Sequence, residues 1–258
     1  MLTAAEIDRF ITDGFVVLRG AVPAATASAC SDILWDRLET LGVDRNDAST
    51  WSKPVVRFNC PEGGPFVDAG TAPRLWEAYD CLLGPSRWHH RRGVGGTIAA
   101  RFPSEHDPGD AGWHIDGSYD GPGGYWVNVN SKQRGLLSLF LFSDVDVIDA
   151  PTRILVGSHL DVPSRLAPAG PAGMLFGDVA RKLPRSTFDR EIVLATGAAG
   201  DVYVCHPFLV HAASWPHRGT RVRMLAQPGV ALIEPFTLAD AADACAVERA
   251  ILRGLTAA

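Results

Sequence analysis

The chain has 258 residues, 47% hydrophobic and 21% charged, with a formal net charge of −5. Such values describe an ordinary soluble globular protein with a proper core. The longest apolar run, from Leu136 to Phe142, contains Ser138 and is far short of the roughly 20 residues that span a bilayer, which excludes a transmembrane protein. The acidic balance also lacks the clustered Lys/Arg surface that nucleic acid requires, so neither nucleic acid nor membrane is an expected partner.

In chain order, Leu2 to Thr12 reads as a helix: Thr3 is placed to cap it, Glu6 stands three residues on, and Ile7, Phe10 and Ile11 recur at helical spacing. Gly14 stops it. Phe15 to Leu18 reads as a strand, Pro23 to Leu41 as a second amphipathic helix, and Pro73 to Leu83 as a helix ended by Gly84-Pro85. The basic run Arg87 to Arg92 reads as a solvated or substrate-facing loop. Beyond it the texture changes to short apolar segments bounded by Gly, Pro, Asp or Ser. These lie around Gly95 to Phe102, Gly112 to Asp116, Gly135 to Phe142, Thr152 to Val156, Glu191 to Leu194, Asp201 to Val204 and Val222 to Gln227. The stretch Asp161 to Arg190 has weak periodicity and reads as a long insertion or lid, and Thr237 to Leu255 as a closing helix. One domain is expected over 1–258: a helical part to about 85, a β body over about 86–235, and a C-terminal helix over about 237–255. The N-terminus is acidic and has no secretory pattern, and the five cysteines are scattered without a CxxC pair. They read as reduced thiols of a cytoplasmic protein.

His114-Ile115-Asp116 offers an imidazole and a carboxylate at i and i+2, which share one face of a strand. With a distant histidine such as His211 they would form a 2-His-1-carboxylate triad, which holds Fe(II) and leaves open positions for oxygen chemistry. Composition gives about 0.65 such HxD matches by chance, and His159-Leu160-Asp161 is a second one. Spacing to His211 does not choose between them, and His206 and His217 compete as the late ligand. Context favours His114, because Trp113 precedes it and glycines with Tyr119 follow Asp116, whereas His159 closes a turn as a backbone-bonding histidine would. Arg221 and Arg223, also at i and i+2, would share a face of a strand, and a guanidinium grips a carboxylate through two parallel hydrogen bonds.

These residues resemble the phytanoyl-CoA dioxygenase-like family of Fe(II)- and 2-oxoglutarate-dependent oxygenases along most of the chain. Leu2-Thr3 through Asp13-Gly14-Phe15-Val16-Val17-Leu18-Arg19-Gly20 resembles the family's opening, Trp113-His114-Ile115-Asp116 its WHxD motif, and Gly157-Ser158-His159 its PGSH turn. Gly200-Asp201-Val202-Tyr203 with His206 and His211 resembles the segment whose last histidine binds iron. The resemblance implies a mainly β fold, a double-stranded β-helix or jelly roll with helices packed outside, mostly from the N-terminal third. It implies His114, Asp116 and His211 as catalytic iron ligands, with 2-oxoglutarate as co-substrate and O2 as oxidant. The family's co-substrate arginine falls nearest Val222, which leaves Arg223, preferred, and Arg221; Arg101 aligns with an assisting basic residue. Val156 stands for the usual proline of the turn, and the intact Asp116 disfavours halogenation. The implied activity is hydroxylation of an unactivated carbon of a small-molecule metabolite, in secondary metabolism, with release of succinate and CO2. Tyr119, Trp126 and Trp215 are candidate substrate-lining residues. The alternatives are desaturation or ring formation at the same iron, a non-catalytic jelly-roll binding protein, and a cupin-like metal hydrolase or isomerase.

Overall fold

The computed structural model describes residues 1–239 and 242–256. In chain order its elements are α1 (Ala4–Asp13), β1 (Phe15–Leu18), α2 (Ala24–Glu39), β2 (Val55–Asn59), α3 (Pro65–Gly70), α4 (Pro73–Leu83), β3 (Thr97–Arg101), β4 (Tyr119–Gly121), β5 (Gly124–Val127), β6 (Leu136–Leu141), β7 (Arg153–Leu155), α5 (Pro163–Leu166), β8 (Met174–Leu175), α6 (Phe176–Lys182), β9 (Ile192–Leu194), β10 (Val202–Cys205), β11 (His211–Ala212), β12 (Arg223–Ala226), β13 (Gly229–Val230) and α7 (Ala246–Thr256). The strands form a large antiparallel sheet in the order β1-β10-β6-β12-β3-β2, with β13 also on β6, and two three-stranded sheets, β11-β7-β9 and β4-β5-β8. Mainly antiparallel sheets with helices outside make a jelly-roll-like arrangement.

Strand alternation explains the two cores. Along β6, Leu136 and Phe140 point to the core shared with the helices, while Leu137, Leu139 and Leu141 enter a second core with Ile154, Ala195 and Leu209. Both faces are covered, so all six residues are buried. Ser138 faces the helical side, where its hydroxyl meets Tyr79 of α4 at 2.7 Å. That bond is how an apolar strand tolerates a hydroxyl.

The capping box at Thr3 and Glu6 forms, and Gly14 ends α1 at φ +88°. A side chain at Gly14 would also strike His159, whose Nδ1 lies 2.5 Å from the position of a Cβ. His159 donates from Nε2 to Ile11 O at 3.1 Å, and its ring lies 4.7 Å from that of His206. Asp161 instead takes a two-pronged contact from Arg190 at 2.9 and 2.8 Å. The second HxD therefore ties the turn after β7 to α1 and to the segment before β9.

Several sequence expectations are corrected. The expected strand over Phe15–Leu18 forms as β1, but the N-terminal part also carries the unexpected β2, and the two are the outer strands of the large sheet. Residues 112–116 are not a strand; only His114 makes an isolated antiparallel bridge, to His211. The segment after Asp161 is built of α5, β8 and α6, with β8 pairing β5. The closing helix begins at Ala246 rather than Thr237, and residues 240 and 241 of that expectation lie outside the described residues. The basic run is largely structural: Arg87 grips Glu248 of α7 at 2.8 and 2.7 Å, Arg91 donates to Val94 O, and Trp88 is buried. All five cysteines are free. Among the described residues no helix is long and apolar enough to cross a membrane.

Burial pushes His159 down to about 4 and His206 well below its ordinary value, so both are neutral in the fold. The unfolded chain takes up protons there from about pH 6.5 downwards. Stability is therefore full above that pH and falls towards pH 4, by about 3 kcal/mol for His159 alone. Urea unfolding between pH 7.5 and 4.5 should show this slope in wild type and a shallower one in His159→Gln; equal slopes would assign the acid sensitivity elsewhere.

Candidate metal centre and anion pocket

His114 and His211 are directly opposed on two chain segments that bond reciprocally, His114 N to His211 O at 3.0 Å and His211 N to His114 O at 2.9 Å. The same alternation that sends Ile115 into the core turns His114 and Asp116 to the other side, without a regular strand. The two imidazoles lie 4.5 Å apart. His114 Nδ1 faces Gly112 O at 2.8 Å and His211 Nδ1 faces Leu209 O at 3.0 Å. A ring nitrogen facing a carbonyl must carry the hydrogen, so in the neutral ring the lone pair lies on Nε2. Those Nε2 atoms lie 3.9 and 3.8 Å from Asp116 Oδ1. The ligand atoms of all three residues fall within 4.8 Å of one another.

The electrostatics match this grouping. Burial works to raise Asp116, but His211, Arg134 and His114 outweigh it and hold the carboxyl below its ordinary range. Burial lowers His211, which keeps it neutral at neutral pH. His211 Nε2 is buried and hydrogen-bonds no protein atom. A buried lone pair beside a second imidazole nitrogen and a carboxylate oxygen fits a divalent cation.

A cavity of about 240 Å³ is lined by both histidines together with Arg57, Arg101, Asp110 and Arg223. The β3–β12 register sets Arg101 opposite Arg223, each 2% exposed. Arg101 donates to Asp110 Oδ2 at 2.6 Å, and Arg57 of β2 contacts the same oxygen. Among the described residues Arg223 reaches only Thr152 Oγ1, at 3.4 Å, and burial together with Arg101 pushes it down to about 9. The Nε atoms of both buried arginines are unpaired, as is Asp110 Oδ1. Like charges facing each other across a sheet repel. Three guanidinium groups around one carboxylate leave the cavity with an excess of positive charge suited to an anion.

Not every expected residue enters this cavity. Arg221 precedes β12 and points to solvent, paired with Asp144 at 3.2 Å. The expectation that it shares a strand face with Arg223 fails because β12 begins only at Arg223, two residues further on. Tyr119 and Trp126 pair across the β4–β5 hairpin, their polar atoms spent on Ala172 O and Pro122 O. Trp215 is exposed beside Val147 and Ile148 in a different surface hollow. None of these three aromatics lines the cavity. His206 is occupied with Val247 O, and His217 pairs by backbone with Ser104.

Sequence reasoning missed Arg57, Asp110, Arg134 and Arg153. The run Val55-Val56-Arg57-Phe58 carried a strand signal that would have placed Arg57. Arg153 of β7 lies 4.6 Å over the Trp113 ring and donates to Ala111 O and Ala213 O. It thus clamps the two segments that carry the histidines.

The sequence matches no protein-family model and no curated protein. Its fold is similar to those of several solved structures. SnoK, a non-haem α-ketoglutarate-dependent carbocyclase from nogalamycin biosynthesis, is 18% identical with a TM-score of 0.60, covering 90% of this chain and 84% of SnoK. The epimerase SnoN, solved with Fe3+, α-ketoglutarate and nogalamycin RO, is 17% identical with a TM-score of 0.58, covering 88% and 82%. HygX from Streptomyces hygroscopicus, with nickel and 2-oxoglutarate bound, is 17% identical with a TM-score of 0.55, covering 90% and 87%. The chain thus has the fold of iron- and 2-oxoglutarate-dependent enzymes.

The opposed arginines make a stability test. Replacing a buried unpaired guanidinium by an apolar group of similar length is neutral or stabilising by about 1 kcal/mol, whereas removing a buried pair's counter-ion destabilises by about 3 kcal/mol. In anion-poor buffer Arg223→Met should melt at or above wild type and Asp110→Ala clearly below it. The reverse order by calorimetry would contradict this charge assignment.

Proposed function

We propose that the protein is a non-haem Fe(II)- and 2-oxoglutarate-dependent dioxygenase of the phytanoyl-CoA dioxygenase-like type. It hydroxylates an unactivated carbon of a small-molecule metabolite, with release of succinate and CO2. The observation that carries the reading is that one cavity is lined both by the two histidines of a 2-His-1-carboxylate cluster and by a pair of buried, under-paired arginines. A dication and a dicarboxylate together satisfy those groups; either alone leaves part of them unmatched.

His114, Asp116 and His211 would hold the iron, with both histidines locked in the Nδ1–H tautomer by Gly112 O and Leu209 O. Bound there, the iron would supply oxygen activation coupled to decarboxylation of the keto acid. Arg223, with Thr152 and Arg101, would take the distal carboxylate, and Asp110 keeps Arg101 and Arg57 in position around it. Ala99 and Leu225 supply apolar wall to the same cavity. His114 and Asp116 are about a third and a quarter exposed, so the substrate approaches from their side.

SnoN was solved with Fe3+ and α-ketoglutarate, and HygX with nickel and 2-oxoglutarate and separately with iron, which supports the cofactors that this reading assigns. SnoK and SnoN are named a carbocyclase and an epimerase. Ring formation or epimerisation by the same centre is therefore the second reading. A non-catalytic binding protein has no use for three ligand atoms aimed at one point.

Metal-free protein given Fe(II) and then 2-oxoglutarate without oxygen should develop the visible charge-transfer band of the chelate. The band should survive His159→Gln and vanish in a folded His211→Ala variant. Asp116→Ala should lower succinate release by at least about a hundredfold. No band in folded wild type would overturn the reading.

A further inference from the structure

Arg134 stands 18 residues after Asp116 and was silent in the sequence. Its Nη1 donates to Asp116 Oδ2 at 3.0 Å, the one hydrogen bond that this carboxylate accepts among the described residues. Asp116 Oδ1, left free of hydrogen bonds, is the oxygen that faces His114 and His211. The two oxygens of one carboxylate are thereby given different tasks.

The arginine is mounted for this. Arg134 N donates to Ser131 O at 3.0 Å, Ser131 Oγ donates back to Arg134 O at 2.6 Å, and Gly135 N reaches Val230 O at 2.7 Å. Its guanidinium lies over the backbone of Gly229, where a Cβ would stand 3.1 Å from Arg134 Cζ. Gly229 has an ordinary negative φ, so its bare backbone serves close approach rather than an unusual conformation.

We infer that Arg134 is a positioning residue that restricts Asp116 to binding the metal through one oxygen. The inference rests on the dioxygenase reading above. Two imidazoles and one oxygen fill three of six positions, leaving two for a chelating keto acid and one more. An untethered carboxylate can turn and offer both oxygens, which fills a fourth position. Metal binding would then persist while the last position closes. A merely structural arginine would have the opposite signature, since its loss would loosen the metal site as well.

Two readouts separate these outcomes. Fe(II) affinity is measured on metal-free protein by anaerobic titration. Nitric oxide binding to the anaerobic Fe(II)·2-oxoglutarate complex is followed by its electron paramagnetic resonance signal, which requires an open position. Arg134→Met should hold Fe(II) as tightly as wild type or up to about tenfold more tightly, because a cation beside the carboxylate has been removed. Its nitric oxide affinity should fall by at least about tenfold. Arg134→Lys, which keeps charge and donor, should stay near wild type, and Gly229→Ala, which displaces the guanidinium, should shift towards Met without removing Arg134. Metal and nitric oxide binding falling together, or nitric oxide binding unchanged in both Arg134→Met and Gly229→Ala, overturns the inference. A wild type that binds neither Fe(II) nor 2-oxoglutarate overturns the dioxygenase reading itself.

Discussion

The antiparallel pairing of β3 with β12 imposes the constraint from which the site follows. It sets Arg101 against Arg223 in the interior, where water cannot screen them, with the single carboxylate of Asp110 shared between Arg101 and Arg57. A protein selected only for stability would fill these positions with apolar side chains. The fold tolerates the arrangement because both faces of the large sheet are otherwise well packed, the helical core on one side and the second core on the other. Strain of this kind in a cavity also lined by His114 and His211 of a candidate metal-ligand cluster is a mark of function rather than of folding.

The metal-ligand cluster depends on a different device. The histidines are delivered by one pair of reciprocal backbone hydrogen bonds, outside any long strand, and Arg153 and the Nδ1 contacts keep them from swinging. Rigid backbone thus sets the two imidazoles, while a side chain, Arg134, sets the carboxylate. Most of the orientation comes from groups that would never touch the metal.

The legible part of the sequence was what local physics decides. The capping box at Thr3 and the stop at Gly14, the helix over 73–83, the buried strand over 136–141 and the shared face of His114 and Asp116 all follow from spacing within a few residues. What stayed hidden depends on contacts far apart in the chain. Arg57 and Asp110 meet across 53 residues, and Arg134 reaches Asp116 across 18 residues that include the β4–β5 hairpin. Arg221 misled because only the exact start of β12 decides which face it occupies. Tyr119, Trp126 and Trp215 misled because an aromatic near a candidate ligand in sequence is as well used in a hairpin or at the surface.

The central claim is that the metal ligands and the buried arginines form one site bridged by one molecule. Binding of 2-oxoglutarate must then be coupled to binding of the metal. Calorimetric titration of 2-oxoglutarate into the protein with and without Mn(II), which binds like Fe(II) but does not turn over, measures that coupling directly. An affinity at least about tenfold tighter with the metal is the expected result. Equal affinities in the two titrations would mean that the arginines and the His114–Asp116–His211 cluster are separate sites, and would contradict the account.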